Sequence, residues 1–126
     1  MYYKTFLAFF LVLSFYSWSQ EYEIKSVYVE IDTESNQVVY EGGVQFISKQ
    51  VNFSSSKLIV DQKQEKFIAE GNPINISYIA DGKEVFGNAK KLELYKNMLF
   101  LSDNVQLVTN NNKIVSDSIV VKLKND

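Results

Sequence analysis

The stretch that decides the fold recurs three times along the chain and closes with a half copy. Its first copy is SVYVEID at residues 26–32, followed after six residues by VYEGGV at 39–44. The second is SKLIVD at 56–61 with IAEGNPI at 68–74, the third AKKLELY at 89–95 with LFLSDNV at 99–105, and the half copy SDSIVVK at 116–122. Val44, Ile74 and Val105 are thus 30 and 31 residues apart. The unit is a pair of strands that must stack on its neighbours to bury its apolar side.

Around these copies, apolar residues alternate with polar ones at a spacing of two, and no longer stretch keeps the 3.6-residue period of a helix. Turn-forming residues separate the alternating segments at 34–36, 41–43, 71–73, 81–83, 102–104 and 110–112. The pattern predicts an all-β domain with roughly ten to twelve strands of about four to seven residues. Segments 57–60, 98–101 and 118–121 are apolar on both faces, which indicates strands between two sheets or a face kept for a ligand or another subunit.

The composition excludes most catalytic chemistry. The 126 residues include no Cys, no His and no Arg. Thiolate nucleophiles, imidazole bases, zinc fingers and bidentate guanidinium groups are therefore excluded. Asp61, Asp81 and Asp117 are isolated acids, without a second carboxylate at a spacing typical of acid–base catalysis. We therefore expect a protein that is not an enzyme and that uses no cofactor and no metal.

The first 20 residues differ in kind from the rest. Lys4 precedes an apolar run from Phe6 to Tyr16, and residues 17–19 form a small-x-small pattern. This predicts a signal peptide over residues 1–19, cleaved before Gln20, and one mature domain over 20–126. As a helix the run would extend only ~17 Å, against about 30 Å of membrane hydrocarbon. A retained membrane anchor is the alternative.

The predicted mature domain is mildly acidic. Residues 20–126 carry 12 Lys against 15 Asp and Glu, a net charge of −3. Binding to a nucleic acid needs a clustered basic face, so we expect no nucleic-acid partner. An exported chain without cysteine must hold its fold in an oxidising compartment without disulfides.

These motifs resemble those of the OstA-like (LptA) family of lipopolysaccharide-transport proteins. In that family, alternating apolar residues after a small residue lead through a charged turn and a strand to a Gly-Asn-Val sequence. The matching segments here are 56–61 leading to 71–74, and 89–95 leading to 103–105. Segments 87–92 and 115–119 resemble the returning strand of the family. Pro73 and Asp103 depart from the usual sequence.

The resemblance implies an open β-jellyroll of about three and a half repeats, V-shaped in section, with an interior groove for the acyl chains of lipopolysaccharide. It also implies end strands that pair with neighbouring jellyrolls. The protein would then be a passive periplasmic carrier of lipopolysaccharide from the inner to the outer membrane. Its partners would be lipopolysaccharide and the neighbouring jellyrolls, which together form a bridge between the two membranes. A second copy of the protein is one candidate for such a neighbour. A membrane-anchored LptC-like component and a structural β-sandwich module without lipid cargo are the alternatives.

The expected site residues follow from the apolar face of each strand. The groove residues are Val29, Ile31, Tyr40, Phe46, Phe53, Leu58, Val60, Ile74, Ile76, Leu92, Leu94, Phe100 and Leu107. On the pattern alone, the same residues also fit the packed core of a closed sandwich. The pairing edges are expected at the first and last strands, with Val27, Val29, Ile31, Ile119, Val121 and Leu123.

Overall fold

The structure, a computed structural model, describes residues 21–124. Within this range the chain forms eight β-strands and no helix. The strands are β1 (Tyr22–Lys25), β2 (Tyr28–Asp32), β3 (Gln37–Ser48), β4 (Val51–Asp61), β5 (Lys66–Ala80), β6 (Lys83–Tyr95), β7 (Met98–Val108) and β8 (Lys113–Lys122). The predicted signal peptide lies outside the described residues. No helix long and apolar enough to cross a membrane is found between residues 21 and 124.

The strands form one antiparallel sheet in the order β1-β3-β4-β5-β6-β7-β8, and β2 pairs with β3 alongside β1. One edge of the sheet therefore consists of β1 and β2, and the other edge is β8. Among the described strands these two edges do not pair with each other. The all-β, open jellyroll predicted from the sequence is confirmed.

Each of the strands β3 to β7 has one irregularity in its pairing, and these irregularities lie side by side across the sheet. The pairing register shifts between Glu41 and Val44, Ser54 and Lys57, Glu70 and Ile74, Asn88 and Lys91, and Ser102 and Val105. Such β-bulges add residues to one strand of a pair and bend it. We call this row the bend line.

Left-handed backbone conformations allow two of the bulges. Gly42 and Gly43 have φ angles of 89° and 54°, and Asp103 and Asn104 have φ angles of 71° and 57°. Glycine adopts positive φ without steric cost, and Asn and Asp tolerate it better than other residues. The sequences Gly-Gly and Asp-Asn, which pattern reading takes as turns, are therefore bends inside continuous strands.

The bend line divides the sheet into two facing layers. Layer 1 contains residues 28–41, 57–70, 91–102 and 118–124, and layer 2 contains residues 22–25, 44–55, 74–89 and 105–116. The two layers share one hydrophobic core. The turns at 33–36, 62–65 and 96–97 end layer 1, and those at 49–50, 81–82 and 109–112 end layer 2. We call the side opposite the bend line, where these turns lie, the mouth.

The prediction of ten to twelve short strands is wrong. Eight strands of 4 to 15 residues are present in the described range, because segments 41–43, 71–73 and 102–104 do not reverse the chain. The sequence repeat is nevertheless real in structure. Val44, Ile74 and Val105 each follow the bend line in layer 2, and all three are fully buried.

Two of the isoleucines of β5 provide a test of the layer assignment, because their environments are opposite. Ile74 is fully buried, whereas Ile79 is 52% exposed. We expect Ile74→Ala to lower the free energy of unfolding by about 2–5 kcal/mol, since it leaves a cavity in a packed interior. The matched control Ile79→Ala should change it by less than about 0.5 kcal/mol. Urea denaturation measures both, and equal losses would contradict the assignment.

Candidate functional site

The space between the layers collects nearly all of the predicted groove residues. By register and burial, the side chains that face it are Tyr40, Phe46, Phe53, Leu58, Val60, Ile74, Ile76, Leu92, Leu94 and Leu107, together with Val29 and Ile31 at the edge. No core side chain is more than 9% exposed. Side chains therefore fill the centre of this space, and whether it receives a lipid stays a prediction.

Phe100 lies on the outer surface of layer 1, on the opposite side of the sheet from its expected position. Its neighbours Leu99 and Leu101 are buried between the layers, and Phe100 pairs with Glu93 and Val120 on the outside. Segment 98–101 is apolar on both faces, so alternation alone does not distinguish its inner side from its outer side. The register with β6 and β8 decides it.

Several interior residues were not among the predicted groove residues, notably Phe67, Tyr78, Leu99, Leu101 and Val105. A sequence signal for the bend line does exist. In β4 the inward residues have odd numbers up to Ser55 and even numbers from Leu58, and β5 and β6 show the same change of phase. In β8 the register shows the opposite change, from even numbers up to Ser116 to odd numbers from Ile119. A switch of phase within an unbroken β pattern therefore marks the point where a strand leaves one layer for the other.

The interior offers a ligand almost nothing polar. Ser55 is the buried polar residue of the described chain, and its hydroxyl donates a hydrogen bond to the Lys57 carbonyl at 3.1 Å. Between residues 21 and 124, every buried side-chain nitrogen or oxygen has a partner. A molecule entering this space would meet mainly hydrocarbon, which favours aliphatic chains and disfavours polar groups.

Aromatic side chains join the two layers near the mouth. The Phe67 ring of layer 1 meets the Phe46 ring of layer 2 at a centroid distance of 5.1 Å and the Tyr22 ring at 5.2 Å. Tyr22 and Phe53 stack on either side within layer 2, at 5.4 and 4.8 Å from Phe46. Stacked and edge-on pairs at these distances add to the apolar burial. We call these four residues the aromatic cluster.

Because Tyr22 lies in this cluster, the stability of the fold depends on pH in the alkaline range. Burial raises the pKa of the Tyr22 phenol, and the neighbouring Tyr40 and Glu65 raise it further. Burial also raises the pKa of Tyr40 and of Tyr78. In each case the folded protein favours the neutral phenol, so the unfolded chain ionises first as the pH rises.

We therefore expect these tyrosines to leave the free energy of unfolding unchanged between neutral pH and about pH 9, and to lower it as the pH rises through about 10, the ordinary pKa of tyrosine. Tyr22→Phe removes one titrating group and should show a smaller fall. At neutral pH the phenol is protonated in both states, so a comparison there isolates the lost hydroxyl. Urea denaturation across this range checks the effect, and an identical alkaline fall in both proteins would exclude a contribution from Tyr22.

The edges carry a second set of predicted residues. Val29 and Ile31 lie in β2 and face inward beside Tyr40 and Val38, yet they are 46% and 66% exposed. Ile119 and Val121 in β8 are half-buried against the core. Val27 and Leu123, also predicted for the edges, lie just outside the strands, before β2 and after β8.

The inner surface is thus apolar and partly open at both ends. At the β8 end, Ile114 faces inward beside Leu107 and is 47% exposed. Since β2 and β8 each pair with a single neighbour, one side of each strand presents backbone groups that a further strand could pair with.

The outer surface carries the charges. Lys66 and Glu93 form an ion pair across β5 and β6 at 3.8 Å. A polar cavity of about 700 Å³ lies along the bend line, lined by Asn72, Asn88, Lys90 and Asp117 among others. No group of acidic residues between 21 and 124 is arranged to hold a metal ion. The charged side chains of the described surface thus lie outside the apolar interior.

A sheet open at both edges, bent once along its length and apolar inside is the arrangement that the family resemblance implied. The family described as LptA/(LptD N-terminal domain) LPS transport protein matches residues 23–126. The chain belongs to this family. It is thus a member of a lipopolysaccharide-transport family, in agreement with the resemblance seen in the repeats.

A solved structure shares the fold of this LptA-family chain. It is LptH from Pseudomonas aeruginosa, the LptA homologous periplasmic component of a lipopolysaccharide transport device. The two structures match with a TM-score of 0.73 over 82% of this chain and 76% of that one, at 16% sequence identity. Comparison with curated proteins gave no significant match.

Proposed function

We propose that this protein binds lipopolysaccharide through its acyl chains and carries it passively across the periplasm, as one element of a bridge between the inner and outer membranes. The observation that supports this most directly is the interior, which is lined by aliphatic and aromatic side chains and reaches the surface at both edges of the sheet. Family membership and the LptH fold support the same proposal.

The energetics of an acyl chain agree with this role. Each methylene moved from water into hydrocarbon contributes about 0.8 kcal/mol. Because side chains now fill the interior, an entering chain must exchange contacts with Phe46, Phe53 or Phe67 rather than fill an empty slot. Entry at the mouth therefore requires the layers to separate there, where the rings of the aromatic cluster join them, whereas the two edges of the sheet are already partly open. No bond is made or broken, so transport would need work supplied by another component.

The position of the protein in the pathway is part of the proposal. With the predicted signal peptide removed, it would be a free periplasmic carrier, and with residues 1–19 retained it would be an anchored LptC-like component. Mass spectrometry of the exported protein separates the two. A chain beginning at Gln20 supports the carrier, and an intact Met1 species in the inner membrane supports the anchored form.

A second candidate, a structural β-sandwich module without cargo, is favoured by one observation: the near-complete burial of the interior side chains. In that case the apolar residues serve only to stabilise the fold. The two candidates differ in whether lipid ever reaches the interior.

Site-specific photocrosslinking decides between them. A photoreactive phenylalanine analogue at Phe53, inside layer 2, should become linked to lipopolysaccharide when the protein is expressed in a Gram-negative host. The same analogue at Phe100, an aromatic residue on the outer surface, is the matched control. The carrier predicts several-fold more crosslinking at Phe53, since acyl chains lie inside the protein. Equal labelling, or label at Phe100 alone, would support the closed module.

Edge pairing gives a separate prediction. If β2 accepts a strand from another copy, the mass measured by light scattering should rise with concentration. Ile31→Lys places a charge on the exposed apolar edge and should raise the concentration needed for assembly about tenfold, equivalent to about 1.4 kcal/mol. Ile79→Lys, at an exposed isoleucine on the central strand β5, should leave assembly unchanged. A constant monomer mass for the unaltered protein would exclude self-assembly.

A further inference from the structure

The two residues after β8 connect the two layers across the mouth. The backbone N–H of Leu123 donates to the carbonyl of Asn97 at 2.8 Å, and Asn97 lies in the turn that ends layer 1 between β6 and β7. The next carbonyl, that of Lys124, accepts a hydrogen bond from the side-chain amide of Gln50. Gln50 belongs to the β3–β4 turn, which ends layer 2.

Leu123 also closes the interior at this point. Its side chain is only 9% exposed and belongs to the hydrophobic core, although it lies beyond the last strand. It continues the inward row of β8 that contains Ile119 and Val121. A hydrophobic side chain is thus inserted between the layers at the mouth.

The position of this contact follows from the way the layers cross. Phe46 of β3 faces Phe67 of β5, and the β3–β4 turn faces the end of β8. At both of these contacts, a segment of layer 2 lies over a later strand of layer 1. The mouth is consequently joined at two places, by the aromatic cluster and by residues 123–124.

The contact at residues 123–124 is the smaller of the two. Across the mouth it consists of the Gln50–Lys124 hydrogen bond and the Leu123 side chain, because the Leu123–Asn97 hydrogen bond lies within layer 1, and both residues follow the end of β8. Segments with few buried contacts and exposed backbone hydrogen bonds open locally at a lower free energy than the sheet itself. This segment can therefore detach while β8 remains paired with β7.

We propose that residues 123–124 form a latch on the mouth, and that Leu123 is the side chain an acyl chain displaces when lipopolysaccharide enters from that side. This rests on the proposed lipid-carrying function and adds the route of entry to it. With the latch in place the mouth is closed, and with it released the two layers can separate between the β3–β4 turn and the end of β8.

The absence of cysteine from the chain makes a direct test possible. A Gln50→Cys, Lys124→Cys double variant can be clamped across the mouth with a bifunctional methanethiosulfonate, which a reductant removes. A Thr109→Cys, Asn112→Cys variant is the matched control. These two residues also approach through a backbone hydrogen bond, of 2.9 Å, but within one turn of layer 2.

The measurement is the rate at which each purified protein takes up lipopolysaccharide labelled on its saccharide with a fluorophore. Clamping residues 50 and 124 should slow uptake about tenfold or more, because only molecules with an open mouth can bind lipopolysaccharide and the clamp lowers the fraction of such molecules. Reduction should restore the rate, and the clamped control should match the unaltered protein. Equal uptake by the clamped and reduced double variant would overturn the latch while leaving the carrier function intact.

A failure of the proposed function itself has a different signature. If the unaltered protein takes up no labelled lipopolysaccharide, both the carrier and the latch are excluded. A single substitution provides an independent measurement that does not depend on the cysteine variants. Leu123→Ala should speed uptake several-fold, whereas Val120→Ala, on the outer side of β8, should not. Unchanged uptake in Leu123→Ala would also overturn the latch.

Discussion

The structure depends on a single geometric constraint: neighbouring strands must bend at the same level. A strand that stayed straight would break the hydrogen-bond ladder on both sides, because its partners turn away at the bend line. Bulges of different composition meet this constraint. β3 uses two glycines in the left-handed region, β7 uses Asp103 and Asn104, and β5 inserts residues 71–73. The residues differ, and the alignment of the bends is what they have in common.

Bending one sheet on itself makes the core and the candidate groove the same set of residues. The side chains that stabilise the fold by leaving water are the ones an acyl chain would contact. Stability favours their close packing, and access requires that some of these contacts be exchangeable. The bend line holds the layers together covalently through every long strand, so separation is restricted to the opposite side. There the layers are joined by the aromatic cluster and by the residues after β8.

The open edges follow from the same architecture. The bent sheet stops at β1 and β2 on one side and at β8 on the other, so the apolar space is not sealed at its ends. Val29, Ile31 and Ile114 are exposed there although they face inward. A second jellyroll paired at either edge would cover these residues and extend the apolar interior. Edge pairing would therefore also provide the path along which a lipid passes.

The sequence by itself determined the all-β class, the repeat, the family and the inward side for most of the residues chosen as groove residues, because side-chain alternation and a 30-residue period are local properties of the chain. It did not distinguish bends from turns, since Gly-Gly and Asp-Asn suit both, and it misplaced Phe100 because segment 98–101 is apolar on both faces. Only the tertiary structure decided those points, through the pairing register with neighbouring strands. Likewise, Leu123 and Lys124 contact turns that are distant in the sequence because of the way one layer lies over the other. A local sequence pattern does not show this arrangement.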